Sequence, residues 1–534
     1  MSMNLQSTNY SVLSPWLPDF AVLVSGLLVT VSLLLIASST RKGKLSKRSL
    51  PGPQGWPVLG CIPLMGKLPY KSLTEMAKKY GPLMLIRLGS ADFVVASSAN
   101  VAEAFLKQND KVWSSRHENA AGNILFYGCQ DISQAPYGDR WRYARKIFVL
   151  ELFTAKRLSN FREIRKQEIM RGVNDAIERC CTGTKAVRMD VIVGKISTNN
   201  VTRMMMNDSE GTLSDEASAI KASDQFQQAI KEFAALLGSF YLGDFIPWLD
   251  RIDPQGLKKR MHAVQKKFDT FLQKIIDDHK LTLEAARSRG QVIPDDVVFS
   301  LLTRPRDADG QYLTETEMKA ILLDMIVAGT DTNTVTIEWA LSELLKNPCI
   351  LEKAQAEMDS VVGRERLVNE SDLPNLPYLN AFVMETFRLH PAGAFIRRKS
   401  IEDCEIQGYK IPAKTPLMVN IYAIHRDPEV YDRASEFLPE RFLNRKMDLE
   451  GQDFSLLIFG SGRRMCPGKG LGIVFVPYCL ALFIQTCNFS LLPGLKPEDL
   501  DMEEKFGITI SRRNPLQVVL VPRLQINLLQ QYRE

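Results

Sequence analysis

Apolar residues recur at a helical period through 138–178, 216–240, 257–289, 314–346, 349–362 and 376–389, with Lys, Glu and Arg on the intervening faces. Each segment predicts a helix that buries one side. Two short apolar runs, Met84–Leu88 and Asp92–Ala96, flank Gly89-Ser90-Ala91 and predict a hairpin in a small β region. Proline and glycine recur from 391 to 465 among brief β-rich pieces, which predicts turns and small strands there. The expected class is mainly α with a minor β component, without internal repeats or low-complexity tracts.

One of these helices departs from the rest. Thr314-Glu315-Thr316-Glu317 has the spacing of a capping box, and the pattern runs to Lys346 before Asn347-Pro348 stops it, about nine turns. Its middle carries Ala328-Gly329-Thr330-Asp331-Thr332, a cluster of weak helix formers. A helix long enough to cross a domain that gives up propensity at its centre points to a function there.

The N-terminal pattern is different again. From Phe20 to Ser38, nineteen residues carry no charge, about the length that crosses a hydrocarbon core. No Lys or Arg precedes the span, whereas Arg41, Lys42, Lys44, Lys47 and Arg48 follow it, which predicts an uncleaved anchor rather than a secretory signal. Pro51-Gly52-Pro53-Gln54-Gly55-Trp56-Pro57 then forbids helix or central strand. The expected organisation is a lumenal N-terminus at 1–19, a transmembrane anchor at 20–40, a basic, proline-rich hinge at 41–60 and a single cytosolic domain at 61–534.

Composition narrows the function. Hydrophobic residues make up 45% and charged residues 24%, an ordinary globular balance. A net charge of +6 without runs of Lys and Arg interleaved with aromatics argues against a nucleic-acid surface. Nine cysteines are scattered without a Cys-x-x-Cys pair, and no His-x-x-x-His completes a zinc site, so most thiols read as small buried hydrophobes in a reducing compartment.

Cys466 is the exception. It lies in Phe459-Gly460-Ser461-Gly462-Arg463-Arg464-Met465-Cys466-Pro467-Gly468, where glycines let the backbone approach a flat ligand and two arginines favour a thiolate. Chemistry alone leaves open a haem ligand, a reactive nucleophile and a plain buried thiol.

These ten residues resemble, at every fixed position, the Phe-x-x-Gly-x-Arg-x-Cys-x-Gly haem-binding loop of the cytochrome P-450 family. The likeness extends over nearly the whole chain. Ala-Gly-Thr-Asp-Thr, the stretch from Trp248 to Gly256 and the anchor look most like the plant microsomal, A-type enzymes. The resemblance implies the P-450 fold, a helical haem domain with a small β-rich region behind one N-terminal transmembrane helix. It also implies haem b (iron protoporphyrin IX), ligated by Cys466 and contacted by Phe459, Arg464 and Gly468. Trp141 and Arg145 match the family's Trp-x-x-x-Arg pair on a haem propionate, and Arg398, with Arg397 as the other option, matches a second propionate contact.

In the long helix, Ala328 and Gly329 would leave room for dioxygen, the Thr332 hydroxyl would donate to it, and Asp331 would help relay protons. The competing reading for Thr332 is a hydroxyl bonded back to the helix carbonyls. Glu385, Arg388 and Arg441 would form a buried three-member network behind the Cys466 loop, whereas the same spacing at Glu168/Arg171 and Glu284/Arg287 reads as surface pairs. Phe126, Tyr127, Phe240, Tyr241, Phe245, Phe395, Ile396 and Phe506 are candidates for the distal pocket.

The implied activity is hydroxylation of a small apolar or phenolic substrate, a plant secondary metabolite or lipid-like compound, using dioxygen. Electrons would come from NADPH through a separate cytochrome P-450 reductase, since no Gly-x-Gly-x-x-Gly fingerprint or flavin domain is present. Arg445, Lys446, Arg463 and Lys469 would help dock that partner. The implied location is the endoplasmic-reticulum membrane, single-pass. Alternatives are an oxygen-independent isomerase or dehydratase of the same family and a non-catalytic haem-binding membrane protein.

Overall fold

The computed structural model describes residues 25–26 and 50–530, apart from 181–182, 184, 207–223, 294–295, 304–309, 311, 446–447 and 449. The expected anchor at 20–40, save residues 25 and 26, and the basic half of the hinge lie outside the described residues.

A sheet and a set of long helices frame the site. The sheet is preceded by α1 (Pro69–Tyr80) and contains β1 (Leu83–Leu88) and β2 (Ala91–Ala96), the expected hairpin. Helices α2 (Ala120–Leu125), α3 (Asp139–Ile147) and α4 (Arg162–Arg179) follow, then the short strand β3 (Val187–Arg188) and α5 (Met189–Met206). The middle of the chain forms α6 (Asp224–Leu237), α7 (Leu257–Arg289), α8 (Glu315–Lys346), α9 (Pro348–Val361) and α10 (Pro377–Leu389). Strands β4 (Phe395–Lys399) and β5 (Pro416–Asn420) complete the sheet, and α11 (Lys469–Thr486) leads into β6 (Cys487–Ser490) and β7 (Gln517–Pro522).

The four-stranded sheet has the order β1-β2-β5-β4, with β2 and β5 parallel and the other neighbours antiparallel. A second sheet has the order β3-β7-β6. Successive residues of a strand face opposite sides. Register therefore puts Met84, Ile86, Phe93, Val95, Met418, Phe395 and Arg397 on one face, and Leu85, Val94, Leu417, Val419, Ile396 and Arg398 on the other.

Helix α8 begins with the capping box read from the sequence, Glu317 N donating to Thr314 Oγ1 (3.2 Å) and Thr314 N to Glu317 Oε2 (2.8 Å). Between Met318 and Leu345 every position is buried except Lys319, Ala328, Gly329, Asp331 and Thr332. Four of those five belong to the central cluster, so the helix is a core element that opens where its propensity falls.

The chain departs from the sequence pattern in three places. The run 138–178 is not one helix: a wider turn at Phe148–Leu152 interrupts it, and Thr154 caps a new start by accepting from Arg157 N (3.2 Å). Helix α5 interleaves Val, Ile, Thr, Asn and Gly, weak helix formers, ahead of a Met-rich end, and packs between α4 and α8. Helix α11 is apolar on all faces and so gives no period to read. Among the described residues it is the one helix long and apolar enough to cross a membrane, yet it is largely buried against α4, α8 and α9 and is a core helix.

Candidate active site

Cys466 ends a turn built on glycine. Gly460 and Gly462 take φ of +72° and +70°, where a side chain is strained, and a Cβ on Gly462 would sit 2.3 Å from Asp110 Oδ1. The loop closes through Cys466 N to Phe459 O (2.9 Å) and Met465 N to Gly462 O (2.9 Å). Arg463 fastens it to Asp110 (Nη1 to Oδ2, 2.6 Å), and Arg145 Nη2 donates to Met465 O (2.5 Å). Cys466 is accessible, but onto an internal cavity rather than bulk water. Burial raises its thiol pKa, opposed by the Gly468 N–H and by the Arg145 and Lys469 cations.

That cavity, about 600 Å³, is also lined by Ala328, Gly329 and Thr332 of α8. Gly329 lets the helix approach α5, since a Cβ there would lie 2.8 Å from Val201 Cγ2. The Thr332 hydroxyl donates to Ala328 O (2.6 Å), so the back-bonded arrangement is the one found, and the hydroxyl reaches the cavity as an acceptor. Asp331 does not line the cavity. Burial raises its pKa, and its Oδ2 accepts from Thr509 Oγ1 (2.7 Å) near the C-terminal strands. Phe240, Tyr241, Phe245, Phe395, Ile396 and Phe506 line the cavity, whereas Phe126 packs on Phe233 (5.3 Å) in the core and neither it nor Tyr127 reaches the cavity wall.

Beside the Cys466 loop, Arg116, Arg145, Arg398 and Arg464 converge without an ion pair to any of them among the described residues. Arg464 donates to Ser114 O (2.6 Å), Ile132 O (3.2 Å) and Ala135 O (2.6 Å), and Arg398 to Ser461 O (3.4 Å). Arg398 Nε is buried with no partner. Burial and mutual repulsion disfavour the charged forms of Arg116, Arg398 and Arg464. Such a cluster favours anions supplied from outside, because the nearby Asp110, Asp131 and Asp324 make no direct ion pair with it. A porphyrin dicarboxylate set between the Cys466 sulfur and α8 fits this demand. Trp141 serves it indirectly: its indole N–H donates to Ile132 O (3.0 Å), and its ring lies 3.9 Å from the Arg464 guanidinium.

The cytochrome P-450 family matches residues 50–518. The chain belongs to the cytochrome P-450 family. It is 41% identical to a flavonoid 3'-monooxygenase of Arabidopsis thaliana over 94% of this chain and 97% of that protein. It is 38% identical to a flavonoid 3',5'-hydroxylase of Solanum melongena over 94% and 95%, and 40% identical to cytochrome P-450 71A1 of Persea americana over 86% and 91%. A zebra fish cytochrome P-450 solved with progesterone shares the fold, with a TM-score of 0.71 over 85% of this chain and 99% of that one at 24% identity. This P-450 is thus a monooxygenase of the plant A-type, and the family's cofactor is haem held by a thiolate.

Behind the P-450 cysteine loop, Glu385, Arg388 and Arg441 come together. Arg388 grips Glu385 through two bonds (2.7 and 2.8 Å), and Arg441 Nε adds a third (3.0 Å). Glu168, expected in a surface pair, is instead 2% exposed and shared by Arg171 (2.9 Å) and Arg203 (2.6 Å), because α5 packs over it.

Sequence reasoning missed Arg116 and a buried acid pair, Asp131 and Asp324. Arg116 and Asp131 come from an unpatterned loop, and Asp324 interrupts an apolar stretch of α8, so no period marks them. Asp324 Oδ2 accepts from Ile132 N (2.7 Å) and Ser133 N (3.2 Å), and Asp131 Oδ2 accepts from the same Ser133 N (3.1 Å). Burial pushes Asp131 up to about 6 and Asp324 well above the usual range. Both folded values exceed the unfolded ones, so the native state holds the extra proton. The pair's contribution is full below about pH 4 and is lost as pH rises through the folded values. Asp324→Asn keeps an acceptor for the two N–H groups and removes the repulsion between the two carboxylates. Thermal melts should show a higher melting temperature for the variant at pH 7.5 than wild type, with the gap closing near pH 4; equal melting at both would mean that the native state holds no extra proton there.

Proposed function

We propose that this cytochrome P-450 hydroxylates a small phenolic plant metabolite, using dioxygen and electrons from an NADPH–cytochrome P-450 reductase. One observation carries the reading: the Cys466 sulfur and the Ala328–Thr332 opening of α8 line one aromatic-walled cavity. The names of the relatives support a phenolic ring as the target. Haem b is the porphyrin proposed, with Arg145, Arg398 and Arg464 on its carboxylates. The domain from 61 to 534 is proposed to work in the cytosol on a single-pass endoplasmic-reticulum anchor at 20–40.

When bound, the haem supplies activation of dioxygen and transfer of one oxygen atom to the substrate. The chain supplies the rest. The Cys466 loop fixes the sulfur, the Gly468 N–H and Arg145 favour its thiolate, and Ala328 keeps the facing wall open. Phe240, Phe245 and Phe506 exclude water from the substrate's ring. Thr332 offers its hydroxyl at the same wall, and donating it requires giving up the bond to Ala328 O, a cost of about 1 kcal/mol. Thr332→Ala is expected to lower product formed per NADPH consumed by about tenfold, with Thr332→Ser near wild type. An unchanged ratio in the alanine variant takes the hydroxyl out of proton delivery.

The expected docking face is less basic than its sequence suggests. Arg445 pairs with Asp453, Arg463 with Asp110 and Lys469 with Glu450 (3.5 Å), while Lys446 lies outside the described residues. The function is tested by reconstituting the protein with a plant reductase and NADPH and screening flavonoids and simpler phenols under oxygen-18. Labelled hydroxylated product supports the reading. Rearrangement of an organic hydroperoxide supplied as the substrate, with no NADPH requirement and no labelled phenol product, overturns it.

A further inference from the structure

Resting on the monooxygenase reading above, we infer that the substrate is an aromatic compound bearing a carboxylate, which the Arg397 guanidinium holds at the cavity wall. Arg397 and Arg398 are neighbours in β4, but register sends them to opposite faces of the sheet. Arg398 joins the cationic cluster beside the Cys466 loop. Arg397 shares its face with Phe93, Phe395 and Met418, an apolar surface continued by Phe245. The other charge on that face, Lys399 at the strand end, reaches Glu118 (3.7 Å).

Arg397 lines the cavity, and among the described residues its side chain has neither a hydrogen bond nor an ion pair. A cation this deep is costly unless something answers it. Asp244 answers it only in part and without a hydrogen bond or ion pair. Asp244 spends Oδ1 on Ala120 N (2.8 Å), and burial pushes that carboxyl up to about 6. His117, on the cavity wall and edge-on to Phe93 (5.5 Å), is driven down to about 4 by burial and the nearby Lys399 cation. It is therefore neutral at pH 7, and its Nδ1 has no hydrogen-bond partner.

A guanidinium presents a planar fork of donors that a carboxylate meets with two parallel bonds, and a neutral imidazole can add a third polar contact. The aromatic wall takes the ring. The same arrangement selects against neutral substrates, because a phenol or ester that fills the cavity leaves the cation desolvated and unpaired. Arg397 is thus a specificity-determining residue, set apart from the arginines that suit the cofactor.

The test uses the haem-loaded full chain and para-hydroxycinnamate, para-hydroxyphenylpropanoate and para-hydroxybenzoate, each beside its methyl ester. Binding is read by calorimetry and by the haem absorbance shift. The acids should bind more tightly than their esters by about tenfold or more in the wild type. In Arg397→Met that preference should vanish, the haem-to-protein ratio should hold, and the melting temperature should rise because the unpaired cation is gone. Arg397→Lys should keep part of the preference. Esters binding as tightly as acids throughout overturns the inference while leaving monooxygenation intact, and loss of haem in Arg397→Met overturns it by assigning the guanidinium to the cofactor. A preparation that hydroxylates no phenol, acid or neutral, fails the underlying reading instead.

Discussion

Replacing Cys466 with alanine should abolish turnover, by at least about three orders of magnitude, and leave the chain folded. The geometry separates these two effects. The loop owes its shape to Gly460 and Gly462 at positive φ, to the Phe459–Cys466 and Gly462–Met465 backbone bonds and to the hold of Arg463 on Asp110. None of these uses the Cys466 side chain, which points into a cavity and packs against little, so the substitution should cost less than about 1 kcal/mol of stability. Cys479 and Cys487 provide the contrast. Both are fully buried with thiols pushed up by burial alone or chiefly so, and their alanine variants should lose packing energy while keeping the spectrum. A carbon-monoxide difference spectrum of reduced protein, taken beside a thermal melt, reads both outcomes. Retained turnover in Cys466→Ala would take the sulfur away from the iron, and a collapsed melt would make it a structural residue.

What could be read from the sequence was whatever is local. The Cys466 loop carries its chemistry in ten consecutive residues, and the limits of α8 are set by a capping box and an Asn-Pro stop, so both are written in order along the chain. Helices α5 and α11 are not, because one is held by a close approach to α4, where a Cβ on Gly172 would lie 2.2 Å from Ile196, and the other is apolar all round. The same distinction holds within the site. Ala328, Gly329 and Thr332 share a helical face and reach the cavity together, whereas Asp331, one residue away, faces Thr509 and leaves it. Arg397 and Arg398 differ only through pairing with β5, a relation between distant strands that no spacing rule in β4 discloses. The arginine cluster is likewise gathered from a loop, a helix, a strand and the Cys466 turn, and only folding shows that it makes no direct ion pair among the described residues.

Removing the Glu385 carboxylate should be the most damaging single change to stability, about 3–5 kcal/mol, a large part of what holds a domain folded. Glu385 and Arg388 are both 0% exposed, and the carboxylate answers two guanidiniums and the Leu438 N–H (2.8 Å) at once. Arg388 in turn donates to His425 O (2.8 Å), Ala434 O (2.7 Å) and Glu436 O (3.0 Å), joining α10 to the loops that follow β5. Glu385→Ala therefore strands a buried cation and unfastens the segment behind the Cys466 loop. Arg441 is different. Its side chain is 14% exposed, so water can replace part of what it offers, and Arg441→Ala should cost only about 1–2 kcal/mol. Urea denaturation of the haem-loaded proteins should rank the variants in that order, and Glu385→Ala should also purify with little haem. A Glu385→Ala protein as stable as Arg441→Ala would mean that the network does not bear on the fold, and that the backbone carbonyls around Arg388 are enough to keep its charge.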